Sequence, residues 1–313
     1  KTCCAGVDIN DAIKVANQYN FPHHILDLQE NFFNNVIDDF VETYAKGETP
    51  IPCIRCNQSV KFTDMLNTAK EMEADALVTG HYARRIGGTK NAKLFKALDK
   101  EKDQSYFLFS TTKTQLDYLR FPLGEYTKKE VRKIAKRYNL SVTDKKDSQD
   151  ICFVSNGSYS DFLKKIKSES FIPGDILDIS GKVIGQHQGI LNYTVGQRRK
   201  IGIGGNTEPL YVININERDK SITVGKKNEL KKNKVIVTNL NWISSFIKDK
   251  MECHAKIKSD QMPQSGILRI SKNEQVEFEF NNSQISIAPG QACVFYKSDE
   301  VLGGGWITKE ISN

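Results

Sequence analysis

The feature that most constrains this chain is the alternation of amphipathic helices with short apolar strands in its first half. Apolar residues recur at helical spacing over residues 8–19, 32–45 and 60–72, which predicts three helices. Apolar runs at residues 25–28 and 76–81 predict buried strands. This alternation is typical of a doubly wound parallel sheet. Ligands bind such sheets beyond the carboxyl ends of the strands, so the Thr-Gly-His turn that ends the second strand is a candidate site edge.

Short β-rich segments separated by turns replace the helices in the second half of the chain. Residues 211–224 have the pattern of a β-hairpin, and alternating runs such as residues 292–296 predict a small antiparallel barrel. The lysine-rich segment 226–234 is expected to link the two. We therefore predict three domains: a nucleotide-binding α/β domain over residues 1–168, a central β-rich domain over residues 169–230, and a C-terminal antiparallel β-barrel over residues 231–313.

Composition narrows the class of protein. With 39% hydrophobic and 27% charged residues, the chain resembles neither a disordered nor a fibrous protein. No apolar run approaches the roughly 18–20 residues that span a bilayer, which argues against a membrane protein. The net charge of +7 mildly favours polyanionic binding partners. Seven scattered cysteines, an odd number, fit a reducing compartment and favour a cytoplasmic location.

The sharpest local motif is the C-x-x-C of Cys53 and Cys56, which follows Pro52 at a loop-to-helix junction. A helix N-terminus and the neighbouring Arg55 favour the thiolate, which is the nucleophilic form of cysteine. A structural zinc site would need a second C-x-x-C or a spaced histidine pair, and the sequence contains neither. A thioredoxin-like redox pair and a catalytic or cluster-binding pair both remain open from the residues alone.

Three further segments carry weaker signals. Cys152 lies among acidic and polar residues at 147–153, where a buried cysteine at a strand start is the simpler interpretation. Residues 185–204 combine glycines, amides and a basic triplet at 198–200, which suits contacts to RNA phosphate and sugar. The alternative is a glycine-rich hairpin whose arginines face solvent. Residues 115–138 are expected to be helical and basic. The simpler interpretation of their charge is a solvated face, and the alternative is a contact to a phosphate backbone.

Six strings occur in a fixed order along the chain: Pro-Cys-x-x-Cys-Asn at 52–57, Thr-Gly-His-Tyr at 79–82, Lys-Asp-Gln-Ser-Tyr-Phe at 102–107, Asp-Ser-Gln-Asp-Ile-Cys-Phe at 147–153, Thr-Val-Gly-Gln-Arg at 194–198 and Gly-Gly-Gly-Trp-Ile at 303–307. Together they resemble the bacterial tRNA-specific 2-thiouridylase family over essentially the whole chain. The resemblance implies a doubly wound α/β domain of the adenine-nucleotide alpha-hydrolase-like type, followed by two small β-rich modules of which the last is a β-barrel. It also implies thiolation of the wobble uridine, position 34, of tRNAs for Lys, Glu and Gln.

The resemblance carries a mechanism with it. ATP, with Mg²⁺, adenylates the uridine 2-oxygen, and a cysteine persulfide then delivers sulfur. By position, Cys152 resembles the persulfide-bearing cysteine, which a sulfur-relay protein or cysteine desulfurase loads. Cys56 resembles its partner, which releases sulfide or closes a disulfide with Cys152. Such a division of one difficult step between two thiols is covalent catalysis, and it requires the fold to bring the two cysteines together.

The resemblance also implies binding residues, and no metal ligand is among them. It places three groups beside the target base, at the adenine nucleotide and against the tRNA, in that order: Ile51, Pro52 and Cys53; Gly80; and Lys102, Asp103, Gln104, Lys258 and Ser259. The chemistry also implies that the target base leaves the anticodon stack.

Two departures from the family pattern leave alternatives open. The Ser-Gly-Gly-x-Asp-Ser phosphate loop that follows the family's first strand is not in this sequence. The chain is therefore expected to begin about a strand and a helix late, to bind ATP poorly and to be impaired. Cys53 stands where many members carry Asp, so Cys53, Cys56 and Cys152 could instead ligate an iron–sulfur cluster. A catalytically incomplete tRNA-binding fragment is another alternative. A related ATP-dependent ligase acting on a small molecule is disfavoured by the two β modules and the basic triplet at 198–200.

Overall fold

The computed structural model of the chain describes residues 6–143, 145, 151–154, 159–204, 208–271, 273–285 and 287–309. Its first part is mainly helical, with these bounds: α1 Gly6–Tyr19, α2 Gln29–Phe32, α3 Asp38–Ala45, α4 Pro52–Arg55, α5 Met65–Glu71, α6 Lys113–Tyr118, α7 Lys128–Arg137 and α8 Tyr159–Ile166. π-Helical segments at Phe33–Ile37 and Cys56–Asp64 join α2 to α3 and α4 to α5. The helices expected over residues 8–19, 32–45 and 60–72 are therefore confirmed.

The strands of the first part divide between two sheets. They are β1 Leu77–Val78, β2 Ala83–Ile86, β3 Lys93–Lys96 and β4 Leu119–Arg120. β1 and β4 pair in parallel, so the strand expected within residues 76–81 is confirmed, but its expected burial is not, because Val78 is 61% exposed. The strand expected at residues 25–28 is wrong, because this segment is irregular and the side chains of Ile25 and Leu26 are 63% and 41% exposed. No described strand lies beside the segment to pair with its backbone, and an apolar run alone does not make a strand.

The long helix expected over residues 115–138 is also wrong in part. The chain instead forms α6, then β4, then a 3₁₀ turn at Pro122–Glu125, and only then α7. Pro122 cannot continue a helix, and Leu119 is needed as the parallel partner of Leu77 in β1. α7 begins at a capping box in which Thr127 and Glu130 bond to each other's backbone N–H groups.

The middle part is a four-stranded sheet in the order β6-β5-β8-β7. Its strands are β5 Gly174–Leu177, β6 Val183–His187, β7 Tyr211–Asn216 and β8 Ser221–Gly225. β7 and β8 form the hairpin that the sequence predicts, and β5 pairs in parallel with β8. The lysine-rich segment 226–234 is not a free linker, because residues from Lys231 onward already belong to the first strand of the barrel.

The last part is a closed six-stranded barrel, in which the pairing of β13 with β14 completes the ring. Its strands are β9 Lys231–Trp242, β10 Lys250–Lys256, β11 Gln264–Ile270, β12 Val276–Ile285, β13 Ala292–Lys297 and β14 Glu300–Ile307. The hairpin of β2 and β3 extends this sheet, since Phe95 of β3 pairs with Glu300 of β14. The first part of the chain and the barrel therefore share one continuous sheet.

Two apolar clusters hold the three parts together. The first, here called the central core, combines Val36, Phe40, Val60, Phe153 and Leu163 with residues of the middle sheet such as Ile176 and Ile215. The second, here called the barrel-side core, combines Ile54, Phe62, Tyr106 and Leu116 with barrel residues such as Val294 and Tyr296. Because both clusters cross between parts, the relative position of the parts is fixed by burial of apolar side chains.

Gly124 provides a test of how closely the turn after β4 packs on β2. A Cβ atom added at Gly124 would lie 1.8 Å from the carbonyl oxygen of Ala83. We expect Gly124→Ala to lower the free energy of unfolding by about 1–3 kcal/mol, because the backbone must move apart. Gly88→Ala is the matched control, since a Cβ there has no neighbour within 4 Å, and its effect should stay within about 0.5 kcal/mol. Equal midpoints in urea denaturation for the two variants would contradict this packing.

Candidate active site

The two cysteines of the C-x-x-C motif lie at the start of one long helix. α4, the π-helical segment and α5 run without a break over residues 52–71, here called the cysteine helix. Pro52 occupies the first turn, where its missing N–H removes no helical hydrogen bond. Cys53 is exposed, whereas Cys56, at the start of the π-helical segment, is half-buried. The helix therefore presents one thiol to solvent and packs the other against the protein.

Cys152, distant in sequence from Cys56, packs against the same apolar cluster. Both side chains pack against the central core, whose buried residues include Val60 and Phe153. Cys152 is half-buried, and no disulfide bond joins the cysteines within the described residues. The structure thus brings both predicted catalytic cysteines to one cluster. The acidic residues that precede Cys152 in its motif, residues 147–150, lie outside the described residues.

A cleft of about 380 Å³ opens where β1 ends. It is lined by Leu77, Val78, Thr79, Gly80, His81 and Gln104, together with Lys61 and Met65 from the cysteine helix. Space remains around Gly80, because a Cβ atom added there would meet only Leu123, at 3.7 Å. The candidate site edge that the sequence places at the end of this strand is therefore a real concavity, here called the β1 cleft.

His81 is held as a neutral side chain in the β1 cleft. Its Nδ1 atom lies 2.7 Å from the hydroxyl of Thr79, and its ring makes edge-to-face contacts with the rings of Phe62 and Phe121. Burial, with a smaller contribution from the charge of Lys61, lowers the pKa of His81 to about 3. The imidazole therefore serves at neutral pH as an uncharged hydrogen-bonding group.

The loop that carries Lys102, Asp103 and Gln104 is shaped by its own side chains. Asp103 accepts hydrogen bonds from the backbone N–H groups of Ala97 and Ser105 and from the hydroxyl of Ser105. The side-chain oxygen of Gln104 accepts from the N–H of Tyr82, just after the β1 cleft. Two of the three residues expected to contact tRNA therefore fix the loop itself, and Lys102 is the half-buried cation that the loop displays.

The remaining predicted residues divide between buried and exposed positions. Ile51 and Pro52 are buried, so of the three residues assigned to the target base only Cys53 has an exposed side chain. Lys258 and Ser259 lie in the turn after β10, where the Lys258 amine donates to the carbonyl of Ile285. The basic triplet at residues 198–200 is exposed in an irregular segment of the middle part.

Lys61 and Met65 are site residues that the sequence analysis does not assign. They line the β1 cleft together because residues four apart lie on one face of a helix. Their four-residue spacing after the C-x-x-C motif indicates that the two side chains share one face of a helix. It does not point to the cleft, however, until the packing of that helix against β1 is known.

The arrangement of metal-binding side chains bears on the iron–sulfur alternative. Over the described part of the chain, no group of three or more His, Cys, Asp or Glu side chains is placed to hold a metal ion. Cys53, Cys56 and Cys152 are thus not gathered as the three-thiolate ligand set that this alternative needs. In the same part of the chain, no helix has the length and apolar character needed to cross a membrane.

The depressed pKa of His81 predicts a dependence of stability on pH. In the unfolded chain this histidine titrates near its ordinary pKa of about 6.5, whereas the folded protein takes up the proton only near pH 3. Between these values the unfolded state binds more protons, so stability falls as the pH falls, by up to about 1.4 kcal/mol per pH unit. Urea unfolding at pH 7.5, 6 and 5 should show a shallower loss for His81→Asn. Equal slopes in the two proteins would show that the pKa of His81 is the same in the folded and unfolded chain.

Comparison with known proteins places these features in a family. Residues 1–156 match the family model described as tRNA methyl transferase HUP domain. Residues 160–226 match the tRNA methyl transferase PRC-barrel domain, and residues 232–307 match the aminomethyltransferase beta-barrel domain. The chain therefore consists of a HUP domain, a PRC-barrel domain and a β-barrel domain.

Curated relatives match over nearly the full length of the chain. The tRNA-specific 2-thiouridylase MnmA of Rickettsia massiliae is 50% identical over 311 residues, which cover 99% of this chain and 85% of the relative. The protein of the same name from Orientia tsutsugamushi is 50% identical over 98% of this chain and 84% of its own length. That of Rickettsia prowazekii is 48% identical over 99% and 87%. With three domain matches in order and this level of identity, the chain belongs to the family of tRNA-specific 2-thiouridylases.

Proposed function

We propose that this protein catalyses the 2-thiolation of uridine 34 in tRNA, using ATP and a cysteine persulfide. The observation that carries the proposal is that Cys56 and Cys152 both pack against the central core, and that the helix of Cys56 also lines the β1 cleft. A cleft and a thiol on one helix, with a second thiol on the same core, would provide the two halves of such a reaction. Relatives that are about half identical to this chain are named for this activity.

The β1 cleft is the proposed site for ATP. The apolar side chains of Leu77, Val78 and Met65 offer a surface for an adenine ring, and the open space at Gly80 lets a ring approach the backbone. Neutral His81 holds the Thr79 hydroxyl at the rim of the cleft. When bound there with Mg²⁺, ATP supplies the adenylyl group that converts the uridine 2-oxygen into a leaving group.

Cys152 and Cys56 divide the transfer of sulfur. Cys152 carries the persulfide, which a sulfur-relay protein or a cysteine desulfurase has loaded. Its terminal sulfur attacks C2 of the adenylated uridine, and AMP leaves with the bonding pair of electrons. The Cys56 thiolate then attacks the Cys152 sulfur, which breaks its bond to the transferred sulfur and closes a Cys56–Cys152 disulfide. The alternative order, in which Cys56 first releases sulfide from the persulfide, leaves the same disulfide.

The tRNA-binding surface is proposed to surround the start of the cysteine helix. The exposed Cys53 side chain faces the target base, while buried Ile51 and Pro52 hold the backbone beneath it. Lys102 contacts the tRNA body, and the turn with Lys258 and Ser259 adds a contact from the barrel. tRNAs for Lys, Glu and Gln are the proposed substrates. The net charge of +7 favours binding of such polyanions.

The first prediction concerns the two catalytic thiols. Cys152→Ala and Cys56→Ala should each abolish formation of 2-thiouridine while leaving tRNA affinity nearly unchanged, because neither half-buried thiol supplies charge to the RNA. Cys253→Ala, which removes a thiol buried in the barrel, is the matched control and should keep the activity. The assay combines unmodified tRNA, ATP, magnesium and a persulfide donor, and digested nucleosides are measured by mass spectrometry.

The outcomes of this assay separate the competing mechanisms. Loss of tRNA binding in either cysteine variant would mean that the thiol is structural. Thiolation that depends on iron reconstitution, with iron retained in an anaerobic preparation, would favour the cluster. Binding of tRNA without thiolation or AMP release in the wild-type protein would favour a non-catalytic tRNA-binding protein.

A second prediction concerns Lys102. If its amine contacts phosphate, Lys102→Ala should weaken tRNA binding and reduce the slope of log affinity against log salt by about one charge. Lys93→Ala is the control, because that amine is already paired with Glu300, at 3.1 Å, and its slope should match the wild type. A slope for Lys102→Ala that equals the wild-type slope would exclude a phosphate contact.

A further inference from the structure

The Gly-Gly-Gly-Trp string of β14 has no role in the function proposed above, yet its packing is unusually close. Cβ atoms added at Gly303, Gly304 and Gly305 would lie 2.3, 2.7 and 2.5 Å from backbone oxygen atoms of β9 and β13. The same atom on Gly304 would lie 2.9 Å from the ring of Phe109 in the HUP domain. Only glycine allows this approach. The close packing places Trp306 on the face of the barrel that meets the HUP domain.

Trp306 lies against the residue between the two thiols of the motif. The guanidinium carbon of Arg55 is 4.4 Å from the centre of a Trp306 ring, within the range of a cation–π contact. The same indole is in edge-to-face contact with Phe109, with ring centres 5.8 Å apart. A side chain of the barrel therefore contacts the turn of the cysteine helix that carries Cys53 and Cys56.

Asp39 of α3 makes a second contact with Arg55. The Arg55 Nε atom is 3.0 Å from an Asp39 carboxylate oxygen, and both side chains are about one-third exposed or less. Burial raises the pKa of Asp39, and the charge of Arg55 acts against that rise. Arg55 is therefore held by one contact on α3 and one on the barrel, besides the bond from its guanidinium to the Gln58 side-chain oxygen in its own helix, and its backbone belongs to the turn that carries Cys53 and Cys56.

We propose that Arg55 is a positioning residue, which uses its contacts with Trp306 and Asp39 to set the orientation of the helical turn that carries Cys53 and Cys56. The inference rests on the proposed function in assigning these thiols to sulfur transfer. It extends that function by giving the C-terminal barrel a part in the geometry of the thiols. Displacement of reacting groups by about 1 Å can cost on the order of 100-fold in rate, so a device of this kind has measurable consequences.

A double-mutant cycle tests the proposal. Arg55→Met and Trp306→Leu should each lower kcat for thiolation by about tenfold, with little change in tRNA affinity. The double variant should be no slower than either single variant, because both substitutions remove the same contact. Arg55→Lys and Trp306→Phe keep a cation and an aromatic ring and should recover most of the rate. Additive losses in the double variant would overturn the proposal.

A control comes from another point where the HUP domain meets the barrel. Arg84 has its guanidinium 6.0 Å from the ring of Phe95, in the same domain, and 3.4 Å from Asp299 of the barrel, so its ion pair crosses the boundary and its ring contact does not. Arg84→Met and Phe95→Leu should leave kcat unchanged. An equal loss of kcat in these variants would mean that any loosening of the interface slows the enzyme, and Arg55 would lose its special role.

A second readout separates this inference from the proposed function. Alkylation of Cys56 by a maleimide, followed by peptide mass spectrometry, reports the access of reagent to the half-buried thiol without any need for thiolation. We expect about a threefold or greater increase in rate in Arg55→Met and Trp306→Leu, and none in Arg84→Met. If the wild-type protein proves unable to thiolate tRNA, this pattern would still support the positioning role. Unchanged alkylation in both Arg55 and Trp306 variants would refute it even in an active enzyme.

Discussion

The structure depends on one helix that packs against two separate apolar cores. Val60 and Cys56 of the cysteine helix contribute to the central core, shared with the middle domain. Ile54 and Phe62 of the same helix contribute to the barrel-side core. Burial of apolar side chains on both sides fixes the rotation of the helix. Because the same helix carries Cys53 and Cys56 and lines the β1 cleft, the packing that holds the domains together also determines the geometry of these groups.

The location of the site edge and the general architecture were predictable from sequence because they depend on local patterns. The apolar run before Thr79 and Gly80 indicated a strand, and ligands bind at the ends of such strands. Alternation after β9 likewise indicated the barrel. The split of the expected helix over residues 115–138 was visible in Pro122, but the parallel pairing of Leu119 with Leu77 was not, because a pairing between distant residues leaves no local periodicity.

The side-chain partners within the site could not be predicted, and for a physical reason. Arg55 meets Asp39 and Trp306 only after three separate elements pack, and Asp103 and Gln104 turn inward to satisfy backbone donors of their own loop. A motif specifies which chemical groups are present. It does not specify whether a carboxylate or an amide binds the substrate or the neighbouring backbone. Burial and hydrogen-bond geometry decide between these two outcomes.

The sharing of cores also bears on how such a chain can change over evolutionary time. Domains joined by small polar interfaces can be exchanged as units. Here the middle sheet and the barrel each complete an apolar cluster begun by the HUP domain, and β3 pairs directly with β14. A foreign barrel would have to match both the apolar surface and the strand edge at once. Exchange of one domain alone would therefore leave an unmatched apolar surface and, for the barrel, an unpaired strand edge.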